Sequence, residues 1–198
     1  SFPRIPLMAQ VASIPEQISL ELAQIVDVVR VGVVVVDSDL TVYFWNRWME
    51  DHGGHAREDV LGKNLADIFP DMQIKALQRK IRQVLTLGNF AFIDARLHGY
   101  LFPFNNVQQL GRRFDLMKQS CILAPLQSAD GKLERVCITV TDETNIVSAE
   151  AALQEAHAQL EYRSRRDNLT QLFNRGYTCE VLEQEIMRVR RCPSPLSV

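Results

Sequence analysis

The stretch from Asp142 to Arg175 constrains the fold most, because it contains neither glycine nor proline. No residue in it interrupts a helix locally. Small and apolar residues recur there in alternating steps of three and four, namely at Ile146, Ala149, Leu153, Ala156 and Leu160. This spacing is typical of a seam between two helices. The sequence therefore predicts a helix over residues 145–166, roughly 35 Å long at 1.5 Å per residue.

The apolar stripe of this helix is too narrow to form a core by itself. One interpretation is a coiled coil with a second copy, in which Ile146, Leu153 and Leu160 occupy equivalent heptad positions. The other is a helix that lies on the surface of the preceding domain. We favour a connector between a domain that ends near Asp142 and one that begins near Asp167, and hence a homodimer.

The residues after this helix resemble the start of a GGDEF (diguanylate cyclase) domain. That family opens with the pattern Asp-x-Leu-Thr-Gly-Leu-x-Asn-Arg-Arg. The matching positions that we single out are Asp167, Leu169, Thr170, Asn174 and Arg175. The chain departs from the pattern at Gln171, where glycine is usual, and at Gly176, where arginine is usual.

This resemblance covers only residues 167–198. In the family, a strand that begins near Pro195 leads to the first metal-binding aspartate, and the Gly-Gly-Asp-Glu-Phe loop lies further on. The resemblance therefore implies the truncated start of an output domain without its catalytic residues. The parent protein is expected to be a diguanylate cyclase, with magnesium and GTP bound only in the missing part.

The composition argues against several classes of function. A chain of 198 residues with 46% hydrophobic content can bury one core with appended helices. Its formal charge of −2 provides no basic surface for nucleic acid. The apolar run around residues 33–36 is too short to span a bilayer, and the cysteines lack the spacing of a metal site. We expect a cytoplasmic protein with no metal, nucleic-acid or membrane contact.

Two segments precede the first strand. Residues 1–12 have no clear periodicity and are interpreted as a tail or tether. Residues 13–30 are predicted to form a helix that starts with Ser13 as its cap and Pro15 in its first turn. Whether the apolar face of this helix packs on its own domain or dimerises stays open.

Residues 31–144 alternate between strand and helix patterns. Predicted strands cover residues 31–36, 41–45, 90–97, 114–126 and 133–141, and a long amphipathic helix ends at Gly88. The spacing of Asn46, Gly54, Glu58 and Gly62-Lys63 resembles the PAS-domain pattern Asn-x7-Gly-x3-Glu-x3-Gly-Lys. The expected fold class is α+β: a PAS-like five-stranded antiparallel sheet covered by short helices, with an N-terminal helix and a long C-terminal connector helix.

The PAS resemblance implies a PAS sensor domain over residues 31–144, with a pocket between sheet and helices. In the family that pocket holds haem, flavin, a small metabolite or nothing. The candidates for lining it are Trp45, Trp48, Phe69, Phe92, Arg96 and Arg113. The tryptophans could equally be ordinary core residues, and the arginines could either hold a carboxylate or be solvated.

The cofactor stays unknown. The helix over residues 72–87 has no histidine, which disfavours haem, and the flavin-adduct signature Asn-Cys-Arg-Phe-Leu-Gln is absent. His52, His55 and His98 lie elsewhere and are expected to be capping or solvent-facing residues.

The step Asp142-Glu143-Thr144 matches the Asp-x-Thr step that joins the last PAS strand to a signalling helix. We therefore expect the signal to pass through Asp142 and Thr144 to the seam residues. The predicted function is a sensory and dimerisation module that regulates a diguanylate cyclase through this helix. The alternative is a ligand-free dimerisation module with no sensing role of its own.

Overall fold

The computed structural model describes residues 16–106, 114–167 and 169–191, with side chains from residue 21 onward. The chain divides into two compact units, residues 1–147 and 148–198, which are described separately. The elements, in chain order, are α1 (Glu16–Val28), β1 (Gly32–Asp37), β2 (Val42–Trp45), α2 (Arg47–Gly53), α3 (Arg57–Val60), α4 (Leu65–Ile68), α5 (Ile74–Leu87), β3 (Ala91–Ile93), α6 (Ala95–His98), β4 (Gln119–Gln127), β5 (Leu133–Asp142), α7 (Thr144–Ser164) and α8 (Arg175–Arg191).

The first unit is built on one antiparallel sheet with the strand order β2-β1-β5-β4-β3. β1 pairs with β5 along its whole length, from Gly32 opposite Val140 to Asp37 opposite Arg135. Alternate residues of these strands are buried, as the two-residue period of a strand requires. The buried face of α5, which consists of Leu77, Ile81 and Val84, joins the same core cluster. The predicted fold class is confirmed.

Side-chain and glycine caps define the short helices that cover the sheet. Asn46 caps α2 by accepting from the Met49 amide, and Asn64 caps α4 by accepting from the Ala66 amide. Gly88 ends α5 in the left-handed conformation with φ +65°, as the sequence predicts. These local signals fix where α2 and α4 begin and where α5 ends.

The third and fourth predicted strands are too long. β3 spans only Ala91–Ile93, because Asp94 Oδ1 accepts a hydrogen bond from the Arg96 amide at 2.7 Å and starts α6. β4 begins at Gln119 rather than near residue 114. The tail over residues 1–12, the Ser13 cap and Pro15 lie outside the described residues.

No helix in the described part of the chain is both long and apolar enough to cross a membrane.

Candidate functional site

Five aromatic side chains meet between the sheet and the covering helices, and we call them the aromatic cluster: Trp45, Trp48, Phe69, Phe102 and Phe104. Trp45 ends β2, and Phe69 follows α4 directly. Their ring centroids lie 6.2 Å apart with an interplanar angle of 24°. Phe102 stacks on Phe104 at 5.3 Å, and Phe69 meets both rings edge-on. Three of the predicted pocket residues are therefore in one cluster.

Asn46 holds the two tryptophans of the cluster in place. Its Oδ1 accepts hydrogen bonds from the Val33 amide at 2.9 Å and the Met49 amide at 3.3 Å. Its Nδ2 donates to the Val26 and Val31 carbonyls, both at 2.9 Å. Because Asn46 is fully buried, each of these bonds replaces a hydrogen bond to water that the side chain loses on folding. The asparagine of the sequence pattern thus joins α1, β1 and α2.

Gln119 binds the backbone of Phe102, one of the two phenylalanines that the sequence pattern did not identify. Its Oε1 accepts from the Leu101 amide at 3.2 Å and the Phe102 amide at 3.0 Å. Its Nε2 donates to the Phe102 carbonyl at 2.8 Å. The sequence shows an aromatic-rich run at residues 100–104, but nothing local indicates that a glutamine 17 residues later is buried beside it.

The cluster has one polar group available to a ligand. Trp45 Nε1 is buried and has no hydrogen-bond partner among the residues that the structure describes. A buried indole N–H normally has an acceptor. Gly53 lies against the same rings, since a Cβ atom there would be 3.2 Å from both Trp45 and Phe104. The Trp45 N–H thus lies among closely packed aromatic rings, with centroid distances of 6.2 Å to Phe69 and 6.3 Å to Phe102.

The remaining pocket candidates are not part of the cluster. Phe92 is on β3 with 67% of its surface exposed, opposite Ile122, so it does not line the interior. Arg96 lies on α6 and forms ion pairs with Asp94 at 3.8 Å and Glu143 at 3.7 Å. Arg113 lies outside the described residues.

A family model described as the PAS fold matches residues 26–147. The chain belongs to the PAS family. PAS domains are sensory domains of signalling proteins, and they commonly dimerise and bind small ligands.

The chain is also similar to several solved structures. A sensory box sensor histidine kinase from Vibrio cholerae is 25% identical, with 64% of this chain and 91% of that chain covered and a TM-score of 0.43. The PAS domain of histidine kinase ThkA is 23% identical, with 57% and 98% covered and a TM-score of 0.39. An RNA-binding Light-Oxygen-Voltage receptor is 18% identical, with 80% and 41% covered and a TM-score of 0.50. No match was found among curated proteins.

The PAS unit ends in a hydrogen-bonded hinge at the predicted transmission residues. Asp142 Oδ1 accepts from the Thr144 amide at 2.9 Å and the Thr144 hydroxyl at 2.6 Å. The Thr144 hydroxyl oxygen also accepts from the Lys118 amide at 2.9 Å. The Glu143 amide donates to the Lys118 carbonyl at 2.8 Å. The start of α7 is thus fastened to the residue before β4.

The predicted seam residues of α7 are exposed in the single chain. Ile146, Leu153 and Leu160 have exposures of 52%, 71% and 65%. Exposed apolar residues at heptad spacing are typical of a helix that pairs with a partner. Their pairing stays a prediction.

Asp167 organises the turn that follows α7. Its Oδ1 accepts from the Thr170 amide at 2.9 Å, the Thr170 hydroxyl at 3.0 Å and the Leu169 amide at 3.1 Å. These bonds stabilise the charged carboxylate and so lower the pKa of Asp167 below its ordinary value. The bond from the Thr170 amide has the largest effect. The next residue after Thr170, Gln171, has a φ of +60°.

Asn174 closes the same turn and caps the helix that follows. Its Oδ1 accepts from the Tyr177 amide at 2.9 Å, and its Nδ2 donates to the Ser164 carbonyl. Arg175 then begins α8. Local hydrogen bonds thus position Asp167, Thr170 and Asn174 relative to one another. Leu169, by contrast, is almost fully exposed.

Proposed function

We propose that the chain is a cytoplasmic PAS sensor that regulates a C-terminal diguanylate cyclase as a homodimer. In this proposal residues 31–144 sense, residues 145–166 form the signalling helix, and residues 167–198 begin the cyclase domain. Residues 13–30 form an N-terminal helix, and residues 1–12 a tether. The product of the complete protein would be cyclic di-GMP, made from GTP.

The observation that carries the proposal is the backbone of Gln171. Its φ of +60° lies in the left-handed region, which glycine adopts without steric cost. The resembled family usually has glycine at this position of its opening pattern. Of the two departures from the family pattern, the one at Gln171, directly after Asp-x-Leu-Thr, therefore falls where the backbone itself explains the family preference. This supports a common turn, built by Asp167 and Thr170.

The proposed mechanism uses the hinge and the seam. A ligand with different affinities for two arrangements of the hinge would shift the populations of those arrangements. The change would pass through Asp142 and Thr144 to α7, and alter how Leu153 and Leu160 of two copies pair. Two cyclase domains, each with one GTP, would then be brought face to face or kept apart.

The homodimer is tested by adding charge to the seam. Leu153→Lys with Leu160→Lys places four ammonium groups in a dimeric seam, so we expect sedimentation velocity to show a monomer. The matched control, Gln154→Lys with Gln159→Lys, adds the same charge to exposed positions of the same helix and should leave the dimer intact. A dimer that persists in the seam variant would place the interface in residues 13–144 instead.

Regulation of a cyclase is tested with a fusion. Residues 1–175 are joined, at the shared Asp-x-Leu-Thr motif, to the catalytic domain of an active diguanylate cyclase, and cyclic di-GMP is quantified by chromatography. We expect the seam variant to reduce its formation at least about tenfold, and the control variant to leave it unchanged. Equal rates for all three fusions would contradict control through this helix.

A ligand-free dimerisation module is the second candidate, and the aromatic cluster favours it. The rings of Trp45, Phe69, Phe102 and Phe104 pack against one another at centroid distances between 5.3 and 6.3 Å. Native mass spectrometry followed by denaturing extraction separates the two candidates. A stoichiometric additional mass that is released on denaturation supports sensing in the interior. A dimer mass with nothing bound supports the dimerisation module.

A further inference from the structure

A groove of about 600 Å³ opens on the PAS unit between α5 and the segment that carries α6. Gln73, which caps α5, and the α5 residues Ala76, Leu77, Arg79, Lys80 and Gln83 form one wall, and Leu97, His98 and Tyr100 form the other. None of the five rings of the aromatic cluster lines it. Its volume lies within the range of roughly 300–1,000 Å³ that is typical of small-molecule sites. The groove is therefore large enough for a small ligand and separate from the aromatic cluster.

The charge of the groove is one-sided. α5 carries Lys75, Arg79, Lys80 and Arg82 and no acidic residue, in a chain whose net charge is −2. Arg79 and Lys80 line the groove, against Asp71 as the one carboxylate among its lining residues. Lys80 Nζ is engaged by the Phe92 carbonyl at 3.0 Å. Arg79 is exposed and has no hydrogen-bond or ion-pair partner within residues 16–106, 114–167 and 169–191. Its guanidinium is thus available.

The floor of the groove is apolar. Leu77, Ile93 and Leu101 line it with buried side chains. The small residue Ala76 leaves space on the α5 wall, and Leu97 and Tyr100 face solvent for much of their surface on the other wall. A ligand can therefore bury an apolar body here while a polar group stays at the rim.

We propose that this groove binds a small organic carboxylate with an apolar body. Arg79 presents a planar fork of N–H donors that matches a carboxylate bidentately. His98 and Tyr100 supply further hydrogen-bonding groups from the opposite wall. The apolar body covers the exposed surface of Leu97 and Tyr100, and the burial of that surface supplies the rest of the affinity.

The position of α6 gives such a ligand a route to the connector, an inference that rests on the proposed sensory function. α6 lines the groove with Leu97 and His98 and carries Arg96 next to them. Arg96 pairs with Glu143 at 3.7 Å, one residue before α7 begins. A ligand that displaces α6 therefore changes a contact at the start of the signalling helix.

The site is tested by titrating 2-naphthoate into the complete chain and following amide chemical shifts by NMR. We expect saturable binding with the shifts concentrated in α5 and α6. Arg79→Gln should weaken binding about tenfold, whereas Arg82→Gln, on the same helix but outside the groove lining, should change it less than twofold. The neutral analogue 2-naphthamide should bind the unmodified protein about tenfold more weakly than the carboxylate.

Ala76→Leu fills the groove without changing charge and should abolish the binding. Absence of saturable binding up to about 1 mM overturns the site. Equal weakening by Arg79→Gln and Arg82→Gln overturns it in favour of diffuse attraction to α5, and unchanged binding in Ala76→Leu places the ligand elsewhere. If 2-naphthoate binds saturably but leaves cyclic di-GMP formation by the fusion unchanged, the binding site in the groove is supported. Only the proposed regulation is then contradicted.

Discussion

Replacing Asn46 by aspartate tests whether this side chain joins the elements around the aromatic cluster. Asn46→Asp keeps the oxygen that accepts from the Val33 and Met49 amides. It replaces Nδ2, which donates to the Val26 and Val31 carbonyls at 2.9 Å, with a second carboxyl oxygen. Two attractive contacts therefore become repulsive in a position that water does not reach.

The size and pH dependence of the effect follow from this geometry. Each of the two lost hydrogen bonds leaves a half-buried carbonyl without its donor, at a cost of about 1–3 kcal/mol. We expect a loss of about 3–5 kcal/mol in the free energy of unfolding near pH 8. Burial and the facing carbonyls raise the folded-state pKa of this aspartate above its unfolded value of about 3.9. At this site the folded state then binds more protons than the unfolded state, so the contribution of the aspartate to stability is greatest below its unfolded pKa and is lost as the pH rises through the folded pKa.

The assay is urea unfolding followed by tryptophan fluorescence at pH 5 and pH 8. Asn64→Asp is the matched control, because Asn64 also caps a helix and donates to a carbonyl, that of Asp39, but does so at an exposed site. We expect the control to lose less than about 1 kcal/mol, because water can solvate the new oxygen. A loss in Asn46→Asp that is no larger than in the control, or that is the same at both pH values, would refute the reasoning.

Three further substitutions test local geometry. Gly32→Ala should lower the free energy of unfolding by about 1–3 kcal/mol in urea titrations, because a Cβ atom there would lie 2.5 Å from Met49 Sδ. Gln171→Gly should slow amide hydrogen exchange in the turn, because glycine adopts a left-handed φ without steric cost. The free energy of opening measured by this exchange should rise by up to about 1 kcal/mol, and Gln171→Ala should not raise it. Thr170→Val should raise the pKa of Asp167 toward its ordinary value in a carboxyl NMR titration, because the carboxylate loses the hydroxyl donor; an unchanged pKa would contradict that cause.

Much of the fold could be predicted because its signals are local. The β-branched run before Asp37 predicted β1. Gly88 predicted the end of α5, since few residue types other than glycine adopt a positive φ at low cost. Asn46 was recognisable from its spacing to Gly54, although its bonds to α1 were not. Features set by residues close together in sequence were thus available from the chain alone.

The candidate site was less predictable because it depends on strand register and on distant pairs. In β3, Ile93 is buried and Phe92 is exposed, and a shift of one residue in register would exchange them. Gln119 has the same local appearance as an exposed glutamine, and only the fold brings it to Phe102. The helix α6 was not predicted, because Asp94 fits the predicted strand but caps a helix in the structure.

The contrast between buried and exposed polar groups indicates where this PAS unit can change state. Asn46 and Gln119 are fully buried, and the oxygen and nitrogen of each side-chain amide form hydrogen bonds. A rearrangement around either residue would break several of these bonds away from water. The ion pair between Arg96 and Glu143 is half exposed on the arginine side, and pairs of this kind are worth only about 0–1 kcal/mol. A ligand needs to supply only that much differential affinity to break it. The contact that joins α6 to the start of α7 is therefore easier to switch than the aromatic cluster, which favours a signal that enters at the surface groove.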